Sequence, residues 1–137
     1  MSPVILDCSV AISWLMSDEF YDSCFLDRVV AEGTLVPSVW PLEIGNTLLM
    51  AERQKRLSAE QRHQAVFTLS ELPINVDPMT SHHTWQETME LAERYKLTLY
   101  DATYLELALR RSLPLATLDK SLKNAADKAG VMAGLPY

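Results

Sequence analysis

Apolar residues in this chain come as short runs and as helical stripes, and the two alternate. Pro3-Val4-Ile5-Leu6 is a compact apolar run closed by Asp7 and predicts a buried strand. Ser9 is placed to cap a short helix over residues 10–16. A second helix is predicted over about residues 18–32, where Tyr21, Phe25 and Val29 recur at helical spacing. Phe20, Cys24, Leu26 and Val30 flank that stripe, and Gly33 stands where the helix should end. Thr34-Leu35-Val36 reads as a second strand, stopped by Pro37. Residues 41–56 carry Ile44, Leu48 and Ala51 on one helical stripe, with Pro41 suitably in the first turn. Ser58-Ala59-Glu60-Gln61 has the form of a capping box and opens a helix to about residue 72. A strand is expected over residues 73–78, helices over about 81–95 and 101–111, and a strand over 113–117. A helix over 121–129, ended by Gly130, and a short last strand over 131–133 complete the pattern.

Short apolar strands alternating with helices predict an α/β fold, a parallel sheet covered by helices on both faces. A length of 137 residues suits one domain spanning 1–137. In such sheets ligands bind beyond the carboxyl ends of the strands, and helices antiparallel to the strands begin at that same edge.

Four acids from four distant segments fall on this edge. Asp7 follows the first strand directly, and Asp119 lies two residues past the strand that ends near Thr117. Glu43 is in the first turn of the third helix and Asp101 at the start of the sixth. Each has an ordinary structural explanation, because acids at helix starts cap orphan N–H groups and suit the helix dipole. Yet Asp7 and Asp101 are set among apolar or small residues, where a capping serine would cost less to desolvate. Clustered carboxylates repel unless a cation joins them, and hard oxygen ligands without Cys or His select Mg²⁺ or Mn²⁺ over zinc.

Val4-Ile5-Leu6-Asp7-Cys8-Ser9, Pro41-Leu42-Glu43-Ile44-Gly45-Asn46, Leu99-Tyr100-Asp101-Ala102-Thr103-Tyr104-Leu105 and Leu115-Ala116-Thr117-Leu118-Asp119 resemble the motifs of PIN-domain ribonucleases. The resemblance is nearest to VapC-type toxins of toxin–antitoxin pairs and spans nearly the whole chain. It implies a Mg²⁺- or Mn²⁺-dependent endoribonuclease, usually a homodimer, inhibited by a small antitoxin protein. It also implies that Asp7, Glu43, Asp101 and Asp119 are the catalytic, metal-holding set. Ser9, Asn46 and Thr117 match accompanying polar positions.

Two other readings stay open on the residues alone. One is a different Mg²⁺-dependent phosphoryl-transfer enzyme of the haloacid-dehalogenase kind, although Ser9 stands where that chemistry wants a second aspartate. The other is a catalytically silent protein-binding module whose acids only cap helices.

Composition narrows the field further. With 12 Lys and Arg against 18 Asp and Glu, and a net charge of −6, bulk charge does not hold this protein on nucleic acid. Local basic groups remain, at Arg53, Lys55, Arg56 and Arg62, and at Arg110, Arg111, Lys120, Lys123 and Lys128. They are candidate RNA-backbone contacts or plain solvated helix faces. Cys8 and Cys24 form no metal motif and read as small buried side chains. Trp14, Trp40 and Trp85 read as core or interface packing. His63 reads as exposed, and the adjacent His82 and His83 as surface residues with diverging side chains. No run is long and apolar enough to span a bilayer, and the expected location is cytoplasmic.

Overall fold

The computed structural model describes residues 3–16 and 23–133. Its centre is a parallel sheet of β1 (Val4–Leu6), β2 (Thr34–Val36), β3 (Ile74–Val76) and β4 (Leu115–Ala116), in the order β3-β2-β1-β4. β1 is an inner strand, and Val4, Ile5 and Leu6 are wholly buried, so both sheet faces are covered there. Burial on both faces is why β1 reads as an unbroken apolar run and not as an alternation. The strand expected at 131–133 is a single parallel bridge from Met132 to Leu115.

The helices are α1 (Cys8–Leu15), α2 (Ser23–Glu32), α3 (Trp40–Arg53), α4 (Ala59–Ser70), α5 (Thr80–His83), α6 (Met89–Tyr95), α7 (Leu99–Arg111) and α8 (Lys120–Lys128). Phe20, Tyr21 and the expected start of the second helix lie outside the described residues, as does the side chain of Cys24. Phe25 and Val29 are buried as expected, whereas Val30 is exposed. Gly33 ends α2 with a φ of +81°, and its N–H reaches the Val29 carbonyl at 2.7 Å. The α3 stripe of Ile44, Leu48 and Ala51 is buried. The capping box is present in full, with Gln61 N–H on Ser58 Oγ at 3.0 Å and Ser58 N–H on Gln61 Oε1 at 2.8 Å.

Three local expectations are corrected. Asp7, not Ser9, is the N-cap of α1. α7 begins at Leu99, two residues early, because Thr98 Oγ1 accepts the Asp101 N–H at 3.1 Å and caps it. The segment expected as one regular helix over 81–95 contains a π turn, Thr84–Thr88, between α5 and α6. Thr84 Oγ1 donates to the Thr80 carbonyl at 2.9 Å, competing for the acceptor that a regular turn would give to the Thr84 N–H.

Several side chains also differ from expectation. Trp40 is buried, but Trp85 on the π turn is 88% exposed. His63 is exposed as read, while the rings of His82 and His83 do not diverge and meet edge to face, 5.0 Å apart. Cys8 is half-buried, with Sγ 4.0 Å from Thr47 Oγ1.

Arg110 is spent on structure. It donates to Asp77 Oδ2 at 2.7 Å and to Glu106 Oε2 at 2.8 Å, and both acids are buried. Burial alone would raise Asp77, but the hydrogen bonds and charge of Arg110 outweigh it and hold Asp77 below the usual carboxylate range. Asp77 also accepts the Met79 N–H at 3.1 Å, so one guanidinium ties α7 to the start of α5.

Candidate acidic site at the carboxyl edge of the sheet

The chain turns from β1 into α1 at Asp7, a residue only 5% exposed. One Asp7 oxygen accepts the Ser9 N–H and the other accepts the Thr117 hydroxyl. Thr117, also buried, in turn accepts the Asp119 N–H at 3.0 Å. The Ser9 hydroxyl accepts the Leu118 N–H at 3.0 Å. Ser9 and Thr117 thus pin the loop after β4 to the loop after β1, which brings Asp119 to Asp7. β4 stops at Ala116, so Thr117 and Asp119 are joined by a tight turn and not by strand alternation.

Asp119 is exposed and caps α8, its Oδ2 taking the Leu122 N–H at 2.9 Å. Asp101 is half-buried in the first turn of α7 and caps nothing, since Thr98 holds that role. Glu43 is half-buried in the first turn of α3, a helix with no side-chain cap, and its Oε1 accepts the hydroxyl of Tyr104. Tyr104 is 1% exposed, and its place in an apolar stretch of α7 gives it the look of plain core. The available signal was its position one turn after Asp101, on the same helix face. Asn46 is exposed and its side chain makes no hydrogen bond among the described residues, so nothing ties it to Glu43.

The charges at this edge act on Asp7, Glu43 and Asp101. Burial raises Asp7 above the usual carboxylate range, hydrogen bonds from Thr117 and Ser9 pull it back, and the charge of Asp119 adds to the rise. Burial also raises Glu43; the Tyr104 bond opposes it, and Asp7 and Asp101 push it further. Asp101 is raised by burial, then by Asp119 and Asp7. Asp7, Glu43 and Asp101 each therefore sense at least one of the other acids. The Cys8 thiol, pushed up to about 12 by burial and then by Glu43, stays protonated beside them.

The donor set suits a hard divalent cation: carboxylates, hydroxyls at the rim, and no imidazole or thiolate. Among the described residues, however, no group of three or more Asp, Glu, His or Cys side chains is disposed to hold a metal ion. The carboxylates are neighbours in charge and not a closed cage.

A parallel α/β sheet with acids gathered at its carboxyl edge defines a class of proteins that work at the strand ends. The chain belongs to the PIN-domain family, whose model matches residues 4–128. PIN domains are generally nucleases and typically use divalent metal ions. Among solved structures, the chain is similar to the crystal structure of PAE2754 from Pyrobaculum aerophilum, with a TM-score of 0.64 and 22% identity. That match covers 90% of this chain and 84% of the other, and it shows the shared fold. No curated protein matches the chain. Among the described residues no helix is long and apolar enough to cross a membrane.

Proposed function

We propose that this protein is a Mg²⁺- or Mn²⁺-dependent endoribonuclease, the toxin half of a VapBC-type pair. The observation that carries the reading is the convergence of Asp7, Glu43, Asp101 and Asp119 from four segments onto one sheet edge. Asp7 and Asp119 do cap helices, as a silent binding module would require. Asp101 and Glu43 cap nothing, and that favours an enzyme.

Asp7, Asp101, Asp119 and Glu43 would hold the cation. When bound it supplies charge neutralisation at the phosphoryl oxygens and lowers the pKa of water. The chain's own part is positional. Both Asp7 oxygens are fixed by Ser9 and Thr117, so its carboxylate has one orientation. Asp119 is oriented through its cap, and keeps Oδ1 without a protein partner among the described residues. The Asp101 carboxylate has the Thr98 hydroxyl as its hydrogen-bonding neighbour, which offsets part of the rise that burial and the other acids cause. RNA is the substrate in this reading, a small antitoxin protein the inhibitor, a homodimer the working unit, and the cytoplasm the compartment, with no membrane contact.

Cleavage of total cellular RNA with Mg²⁺, Mn²⁺ or EDTA tests the reading, with Asp7→Asn beside wild type and circular dichroism on the same samples. Metal-dependent cutting that falls about 100-fold or more in a folded Asp7→Asn protein is expected. Expression alone should stop growth, and the same variant should not. Full activity in EDTA, or in Asp7→Asn, would sink the proposal.

A further inference from the structure

Tyr104 lies inside the Leu99–Leu105 motif, but neither the resemblance nor the site chemistry gives its hydroxyl a role. A buried phenol needs an acceptor, and a backbone carbonyl would serve. Here the acceptor is Glu43, 61 residues away on another helix. The bond occupies Oε1 and leaves Oε2 with no protein partner among the described residues. Tyr104 and Asp101 lie three residues apart on α7, so one helix face delivers an acid to the crevice and a donor to a second acid. α3 offers Glu43 no anchor of its own: its N-cap Val39 makes no side-chain bond, and exposed Asn46 lies on the following turn.

We propose that Tyr104 is a positioning residue: its hydroxyl holds Glu43 by one oxygen and turns the other toward the cation and substrate. The inference rests on the nuclease reading above. A glutamate has three side-chain torsions, and fixing one oxygen removes most of that freedom before metal arrives. Supporting bonds of this kind change metal affinity or rate by about 10- to 100-fold when removed. The same contact ties the placement of Glu43 to that of Asp101, because both follow α7.

The test is a double-mutant cycle on the full chain with Tyr104→Phe, Glu43→Gln and the pair. Mn²⁺ affinity is read by isothermal titration calorimetry, and kcat and KM on a fluorogenic oligoribonucleotide. Tyr104→Phe should bind Mn²⁺ about 10-fold more weakly and lose about 10-fold in kcat with KM unchanged. In the Glu43→Gln background it should add almost nothing. Wild-type affinity and rate in Tyr104→Phe, or losses that multiply fully with those of Glu43→Gln, would overturn the role of Tyr104 and leave the nuclease reading standing. A folded wild type that neither binds Mn²⁺ nor cuts RNA would overturn both. If the phenylalanine variant does not fold, Tyr104→Met, which packs adaptably and also lacks the hydroxyl, answers the same question.

Discussion

Asp101→Asn should stabilise the metal-free protein and destabilise the metal-loaded one relative to wild type. Asp101 suits the experiment because no capping bond is lost with its charge; Thr98 caps α7 whichever residue stands at 101. Burial, Asp119 and Asp7 all raise the folded-state pKa of Asp101. An acid raised in this way contributes stability that is fully present below its unfolded value, about 4, and is lost as pH rises through the folded value. At pH 7 without metal, its charge is therefore a cost.

Two unit charges about 5 Å apart repel by roughly 3 kcal/mol at an effective dielectric near 20. Asp101 is half in water, and screening cuts each such repulsion to under about 1 kcal/mol. The helix dipole favours an acid in the first turn of α7 by about 0.5 kcal/mol. The balance is a gain of about 1 kcal/mol in the variant, or about 4 °C in melting temperature for a chain of this size. Mn²⁺ at 100 times its dissociation constant should then add about 2.7 kcal/mol to wild type and much less to the variant. The order of the two melts reverses. Thermal unfolding at pH 5 and pH 7, in EDTA and in Mn²⁺, reads all four quantities. A variant that melts below wild type in EDTA, with Mn²⁺ moving neither, would refute the reasoning and leave Asp101 as a dipole-stabilised surface acid.

Three further outcomes are expected. Asp119→Asn and Asp119→Ala should lose cleavage alike, by about 100-fold, while denaturant unfolding separates them, because only alanine gives up the α8 cap, worth about 1 kcal/mol. Arg110→Ala leaves Glu106 without its hydrogen-bonded guanidinium and Asp77 with only Arg111 at 4.0 Å, and should cost about 3 kcal/mol in urea unfolding, with the rate per folded molecule unchanged. Gly33→Ala puts a Cβ at φ +81° and 3.3 Å from the Pro73 carbonyl oxygen, and should cost about 1 to 2 kcal/mol in the same assay.

What was legible in the sequence was periodicity and position. The apolar run at Val4–Leu6 and the stripe Ile44, Leu48, Ala51 announce burial because burial alone produces them. Asp7, Glu43, Asp101 and Asp119 could be placed on one edge because strand ends and helix starts in a parallel sheet share it. Partnerships across sequence were not legible. Arg110 looked like one more exposed base beside an RNA site, and only the fold brings Asp77 to it from 33 residues away. Tyr104 stood only as one letter of a motif; it is buried, and its hydroxyl gains meaning from Glu43 on another helix. The π turn at Thr84–Thr88 escaped because a helical stripe does not register one extra residue per turn. Ser9 and Thr117 were placed beside the acids, but their work of tying two loops together required both loops to be seen.

The bond from Thr117 to Asp7 closes a loop of 110 residues. β1 likewise finds its β4 partner across a long separation, since Leu6 pairs with Ala116. Contacts of such separation form late, after the chain between them has been ordered. A ribosome that has released only the first hundred residues therefore has the Ser9 N–H on Asp7 but not yet the Thr117 hydroxyl. The clamp on Asp7 exists only once the segment that carries Thr117 has been made, so synthesis itself delays the assembly of the acidic edge.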